Sequence, residues 1–492
     1  MPLIPINLPP GQYRNGTEYQ SQGRWRDANL IRWHEGALRP VGGWRQRGSV
    51  DISGVVRTMV AWEDNTNNRR IAFGTHDKLY AMNSGDVVSD ITPAGFTAGR
   101  VDATAFTGFG GGPYGDDLYG LPRPDTGSVL PATTWSLDNF GEYLLGCTAD
   151  DGKIYQWQLN GGTPAAVLSN APTSCSGMMV TEERFVFAFG AGGDPRKISW
   201  SDREDNNTWT AATTNEAGDI QLQTNGVILK GLRTRGQSLI LTDQDAHAAT
   251  YSGPPYVYGF ERVGTSCGLI AANAAASVDA GVIWMGQRSF FVYSGGAVQE
   301  LPCDVADYVF SDINIDQKSK VHAVVNSRFS EIWWFYPSES STECDSYVSF
   351  DYAEQIWTTG TIGRTAGVDR GVFRQPFWIA ADGTLYEQEI GFDYGNQTPF
   401  AETGPIAIGV GEQVMSVRGM IPDENTLGDV SATFKTRFYP TDTQRDYGPF
   451  SMANPTSFRF TGRQIRMRIT GDASSDWRVG IMRLDAVAGG RR

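Results

Sequence analysis

The sequence predicts an all-β protein: a β-propeller of six or seven blades, with an extended N-terminal arm and a C-terminal β-sandwich-like domain. Three observations point there. A strand–turn–strand phrase recurs along the middle of the chain. Aromatic and β-branched residues dominate the apolar runs, and these residue types pack well on a pleated surface. The 58 glycines follow no collagen period, so they mark many tight turns. With 492 residues, 40% hydrophobic and 20% charged, the chain can bury a sizeable core. It is long enough for two or three ordinary domains, or for one large β architecture plus an appendage.

The phrase is clearest in EYLLGCTADDGKIYQWQL (Glu142 to Leu159) and PFWIAADGTLYEQEI (Pro376 to Ile390). Each is an apolar strand, an Asp-Gly turn and a second strand. Further copies read RRIAFGTHDKLYAM from Arg69, ERFVFAFGAGGDPRKISWSD from Glu183, GQSLILTDQDAHAATYSG from Gly236, AGVIWMGQRSFFVYSGG from Ala280 and SEIWWFYPSESSTECDSYVSFDYAEQIWTTG from Ser330. Most recur every 42–53 residues, near the ~40–50 residue spacing of propeller blades. A small twisted sheet cannot bury both faces alone, whereas blades packed around an axis bury them against each other. A β-sandwich built of unrelated hairpins is the competing reading. Seven hairpins need not mean seven blades, because the last is positioned to complete a blade begun near the N-terminus.

The predicted organisation is an arm with the first strands over 1–60, a propeller over 61–394 and a β domain over 395–492. The arm carries no repeat and is dense in Arg and aromatic residues. Arg14, Arg24, Trp25, Arg32, Trp33, Arg39 and Trp44 are its candidate assembly-interface residues, because such side chains are enriched at interface cores. Packing of the arm onto its own propeller is the alternative. Inside the propeller, the interval from Ile71 to Leu144 is 73 residues, too long for one blade step, and holds a Gly/Pro/Tyr-rich insertion at about 95–135. Phe109, Gly110, Gly111, Gly112, Tyr114 and Tyr119 make it a candidate channel or contact loop; no Lys-Ser/Thr follows, so it does not read as a phosphate loop. Beyond residue 395, apolar and Arg residues alternate from Phe458 to Ile469, as in a strand with one wet face.

Charge and cysteine usage narrow the function. Residues 1–60 hold eight Arg against four acids, and 395–492 hold twelve cations against ten acids. The middle is strongly acidic, with 21 cations against 41 acids, and the whole chain carries −14. An ordinary DNA reader shows a basic stripe instead. Only seven of the 41 cations are Lys, a bias toward the cation favoured at protein–protein contacts. Cys147, Cys175, Cys267, Cys303 and Cys344 form no CxxC pair and read as buried free thiols. The opening MPLIPINLPPG has no basic start and is broken by prolines, which does not fit a signal peptide, and no apolar run reaches the ~20 residues of a membrane span. A soluble protein made in a reducing cytosol is expected.

Catalytic signals are few. His34, His76, His247 and His322 lack metal-ligand spacing, and no GxSxG, HExxH or P-loop occurs. SDREDNNTWT (Ser201 to Thr210) has a faint likeness to a sialidase Asp-box but reads better as a hydrogen-bonded turn. No catalytic residue, metal ligand or cofactor site is assigned.

Three stretches carry a family resemblance: NLIRWHEGALRPVGGW (Asn29 to Trp44), DINIDQKSKVHAVVNSRFSEIWWFYPS (Asp312 to Ser338) and RQIRMRITGDASSDWRVGIMRLD (Arg463 to Asp485). With the hairpin spacing, the chain resembles the tail hub, or nozzle, proteins of short-tailed bacteriophages, the packaged-DNA stabilisation family. The resemblance implies a non-enzymatic virion protein, made in the host cytoplasm and placed in the tail as a homohexameric ring. It implies partners: an adaptor ring below the portal, tailspikes or fibres outside, a needle or plug at the tip, and viral DNA in passage. The Gly-Tyr insertion departs from that pattern. A glycan-cleaving, sialidase-like propeller and a receptor-binding propeller are the rival readings.

Overall fold

The computed structural model describes residues 3–49, 52–106, 128–407, 413–471 and 474–490. Among them, seven four-stranded antiparallel sheets follow one another: 58–90, 135–167, 177–221, 228–265, 275–301, 322–361, and 366–388 joined by Trp44–Ser49. We call them blades 1 to 7. Each blade's first strand packs beside the next blade's first strand, and Ala366–Val368 of blade 7 packs beside Thr58–Glu63 of blade 1. The sheets therefore close into a propeller, and the count is seven.

Each of the seven hairpin phrases supplies the second and third strands of one blade, and the Ser330 phrase adds the fourth, Ile356–Thr361; the Glu142 phrase, for instance, folds as Tyr143–Thr148 and Ile154–Trp157. Its turn needs Gly152 at φ +69°, and the matching turn in blade 7 needs Gly383 at φ +80°. The ring closes through the arm: Thr384–Gln388 pairs antiparallel with Trp44–Ser49. The last blade is thus completed from the N-terminus, and a strand contributed by the opposite end of the chain locks the circle.

The core lies between blades rather than within them. Trp62, Leu79, Trp135, Leu144 and Tyr155 fill the space between blades 1 and 2, and Phe187, Trp200, Ile240 and Tyr258 that between blades 3 and 4. Buried indoles donate across these seams, so each N–H is satisfied where water is excluded. Trp135 Nε1 donates to Thr75 O (2.7 Å), Trp334 Nε1 to Ala274 O (2.9 Å) and Trp62 Nε1 to Glu142 O (2.9 Å). Cys147, Cys175, Cys267 and Cys344 are buried and Cys303 half-buried, all as free thiols. Burial pushes the Cys175 thiol up to about 12, so these are packing residues.

The second domain is a sandwich of a four-stranded and a five-stranded sheet. Phe434, Phe458, Phe460, Ile465, Met467, Ile469 and Trp477 are buried between them. The alternation in Gln464–Gly471 is as expected, but its Arg face is only partly wet. Arg466 and Arg468 reach Glu402, and Arg466 also pairs with Glu18.

The N-terminal segment is not one appendage. Leu3–Ile6 joins the four-stranded sheet beside Met482–Ala488, and Trp25–Asn29 joins the five-stranded sheet beside Phe400–Thr403. Ile31–His34 and Ala37–Pro40 form a hairpin at the domain junction, and Trp44–Ser49 enters blade 7. The expected unit over 1–60 is therefore divided between both domains.

Candidate functional site

Two places concentrate buried polar chemistry: the domain junction and the propeller axis. At the junction, the arm residues expected at an assembly contact are largely consumed inside the chain. Trp25 (5% exposed) and Trp33 (3%) sit in the sandwich core, so neither is available to another subunit. Arg32 is 3% exposed and is held bidentately by two buried carboxylates. Its Nε and Nη2 donate to Glu331 (both 2.8 Å), and its Nη1 and Nη2 donate to Glu389 (3.0 and 2.6 Å). Its guanidinium also lies 3.6 Å from the Phe329 ring centroid. These three residues leave the interface assignment because an aromatic or ion pair already desolvated within the protomer has nothing left to give a partner.

The other candidates also have partners within the chain. Arg39 Nη2 donates to Asp476 (2.8 Å), and Trp44 packs edge-on against Tyr394 and under the Arg364 guanidinium. Arg14 pairs with Asp27 and stacks on Tyr308; Arg24 pairs with Asp304. Arg24 keeps a third of its side chain in solvent.

Burial sets the charges at the Arg32 cluster. It works against the guanidinium, but the two carboxylates outweigh it and hold Arg32 firmly protonated. Burial pushes the Glu331 carboxyl up, with Arg32 opposing. For Glu389 burial works in the same sense, but Arg32, Asn326 Nδ2 and the Gly42 N–H together hold it below the ordinary carboxylate range.

The axis of the propeller is a channel with unlike ends. At the mouth where the first strands end, a cavity of about 610 Å³ is lined from blades 3 to 7, with Glu182, Arg233, Arg235, Asp279, Tyr352 and Asp369 among its walls. Arg233 Nη2 reaches across to Asp138 on blade 2 (2.5 Å). Burial pushes Asp369 up from its usual value. Where the first strands begin, side chains close the channel. Asn273 of blade 5 donates through Nδ2 to Thr58 Oγ1 of blade 1 (2.9 Å), and Lys230 Nζ of blade 4 donates to Asn273 Oδ1 (3.3 Å). Beside this crossing is a cavity of about 160 Å³, walled by residues of six blades and including Arg57, Lys230 and His322.

The stem of the insertion lies over this closed end. Thr104–Ala105 pairs with Val129–Leu130. Gln317, just before blade 6, accepts from Ala103 N (3.0 Å) and donates to Ala103 O (2.9 Å). Lys320 Nζ donates to Asp102, Thr342 O and Glu343, and Arg57 donates to Glu343 and Val101 O. The stem thereby ties blade 1 to blade 6. Phe109, Gly110, Gly111, Gly112, Tyr114 and Tyr119 lie outside the described residues.

Sequence reasoning missed Lys230, Asn273 and His322. They sit on or beside the first strands, and facing the axis is a property of ring closure that no local pattern signals. Among the described residues, no cluster of three or more His, Cys, Asp or Glu is arranged to hold a metal ion. The SDREDNNTWT stretch is a turn in blade 3: Asp202 accepts from the Arg203 and Glu216 amides, and Trp209 Nε1 donates to Asn206 O. Among the described residues, no helix is long and apolar enough to cross a membrane.

No family model and no curated protein matches the sequence. Among solved structures, virginiamycin B lyase from Staphylococcus aureus is 9% identical, with a TM-score of 0.42, covering 70% of this chain and 98% of that one. The Neurospora crassa Pan2 WD40 domain is 9% identical, with a TM-score of 0.38, covering 70% and 94%. Likeness at this level carries no information about activity.

Proposed function

We propose that this chain is a structural virion protein, one subunit of a homohexameric tail nozzle that encloses the DNA exit passage, retains the packaged genome and conducts it at ejection. The observation that carries the reading is where the three family-like stretches meet. Arg32 of the first grips Glu331 of the second. Leu38 and Arg39 of the first contact Val479 and Asp476 of the third. Residues hundreds of positions apart thus converge on a joint between propeller and sandwich. A joint that makes two domains one stiff body suits a part bearing load.

The DNA passage in this reading lies between subunits. The propeller's own hole is bridged by Asn273 and Thr58. A net charge of −14 per subunit favours a passage that repels DNA and lets it slide, since cationic contacts would hold it. Adaptor ring, tailspike or fibre, and needle or plug would contact the outer surfaces.

A second reading, a glycan-cleaving, sialidase-like propeller, has one observation in its favour: the open mouth mixes Arg233, Arg235, Tyr352 and acids around about 610 Å³. Virions made with a stop codon early in this chain separate the two. The nozzle reading expects heads that fill and then lose their genome, seen as a tenfold or greater fall in nuclease-protected DNA. Unchanged protection, with sugar release by the purified protein, would favour the second reading.

A further inference from the structure

The closed end of the propeller axis holds a cavity whose charged lining is entirely cationic. The cavity, of about 160 Å³, is walled by Arg57, Lys230 and His322 together with Thr58 and Asn273 among others, and by no carboxylate. Arg57 is already matched by Glu343. Lys230 is not: its amine is held only by the neutral Asn273 amide oxygen, at 3.3 Å. Lys230 is half-buried, and a cation drawn partly out of water is ordinarily paired.

A second orphan lies in the same wall. His322 is 4% exposed and stacked on Phe335, and its Nε2 has no hydrogen-bond partner among the described residues. Its Nδ1 faces Lys320 O at 3.3 Å, which makes Nδ1 the proton-bearing nitrogen and leaves Nε2 an acceptor. Burial and the nearby Arg57 charge favour this neutral form, carrying the imidazole down to about 4. Burial also lowers the Lys230 amine, with Asp138 opposing.

The cavity therefore offers a strong donor and an unsatisfied acceptor, with the Asn273 and Thr58 groups between them. We propose that it binds a phosphate group that retains an acidic O–H: its charged oxygens accept from Lys230 Nζ, and its hydroxyl donates to His322 Nε2. Hydrogen phosphate meets both needs. Sulfate, fully deprotonated at neutral pH, meets only the first. Seated there, the group would stiffen the crossing of the channel by bridging blades 4 and 6. This inference rests on the cavity alone and does not depend on the nozzle reading.

The test is calorimetric titration of the purified full-length protein at pH 7.5 and fixed ionic strength, with inorganic phosphate, glycerol phosphate and sulfate in parallel. Saturable phosphate binding is expected, at least tenfold tighter than sulfate. It should be lost in Lys230→Met and weakened at least tenfold in His322→Phe, which keeps the ring stack and removes the acceptor. Circular dichroism establishes first that each variant folds, and either variant suffices if the other does not. Glycerol phosphate is a second control: its phosphate is mostly doubly ionised at pH 7.5 and carries no P–O–H, so like sulfate it should bind at least tenfold more weakly than inorganic phosphate. No saturable binding, sulfate or glycerol phosphate binding as tight as inorganic phosphate, or folded variants that bind like the parent would overturn it.

Discussion

Arg32→Met is expected to cost about 3–5 kcal/mol of unfolding free energy, the usual penalty for stranding a buried charge partner. Glu331 and Glu389 side chains are each only 6% exposed, and both lose their cation at once. Trp333 Nε1, Asn326 Nδ2 and the Gly42 N–H still donate to them, but neutral donors do not replace a guanidinium. The effect should depend on pH in a defined sense. In the parent, Glu389 sits below its ordinary range, so its contribution is present above the unfolded-state value and is lost as pH falls through the folded one. Without Arg32, burial pushes both carboxyls up, so the variant is penalised whenever they ionise. Its deficit against the parent should be largest near pH 8 and shrink toward pH 5. Denaturant unfolding at both pH values checks this, and a deficit that is under 1 kcal/mol or independent of pH would remove the cluster from its proposed role.

Removing residues 1–49 should have the larger effect. It strips the closing strand from blade 7, takes Leu3–Ile6 and Trp25–Asn29 out of the two sandwich sheets, and deletes Arg32. Each of the three lost strands leaves its partner with an unpaired edge, which promotes aggregation. The shortened chain is expected in the insoluble fraction. Removing only residues 1–29 spares Arg32 and the closing strand, so the propeller should persist while the sandwich loosens. Limited proteolysis should then cut first beyond residue 400 and leave a stable propeller fragment. A soluble chain lacking 1–49 with the parent's melting temperature would contradict closure through the arm.

Much of this architecture was legible in the residues because blades advertise their middle strands. The hairpins at Tyr143–Trp157 and Phe377–Gln388 are apolar and punctuated by Asp-Gly, so local pattern and fold agree. Outer strands such as Ala166–Val167 are two residues long and exposed, and carry no signal. Division of the arm between domains was hidden for another reason. Trp25, Trp33 and Arg32 have the composition of an interface, and composition cannot tell an interface with another chain from one within the same chain. The axial set of Thr58, Lys230, Asn273 and His322 was hidden because its members meet only when seven sheets close. By contrast, completion of the last blade by the N-terminus followed from counting hairpins, and Trp44–Ser49 performs it.

The central claim is that these stiff two-domain subunits stand side by side around a passage for nucleic acid. Cryo-electron microscopy of the intact particle, with the tail reconstructed without imposed symmetry, tests it most directly. The account predicts six copies of a seven-bladed disc joined to a sandwich, ringed about the tail axis, with DNA density running between subunits and none threading a propeller. Density for this chain away from that axis, or DNA passing through a propeller's own hole, would contradict it.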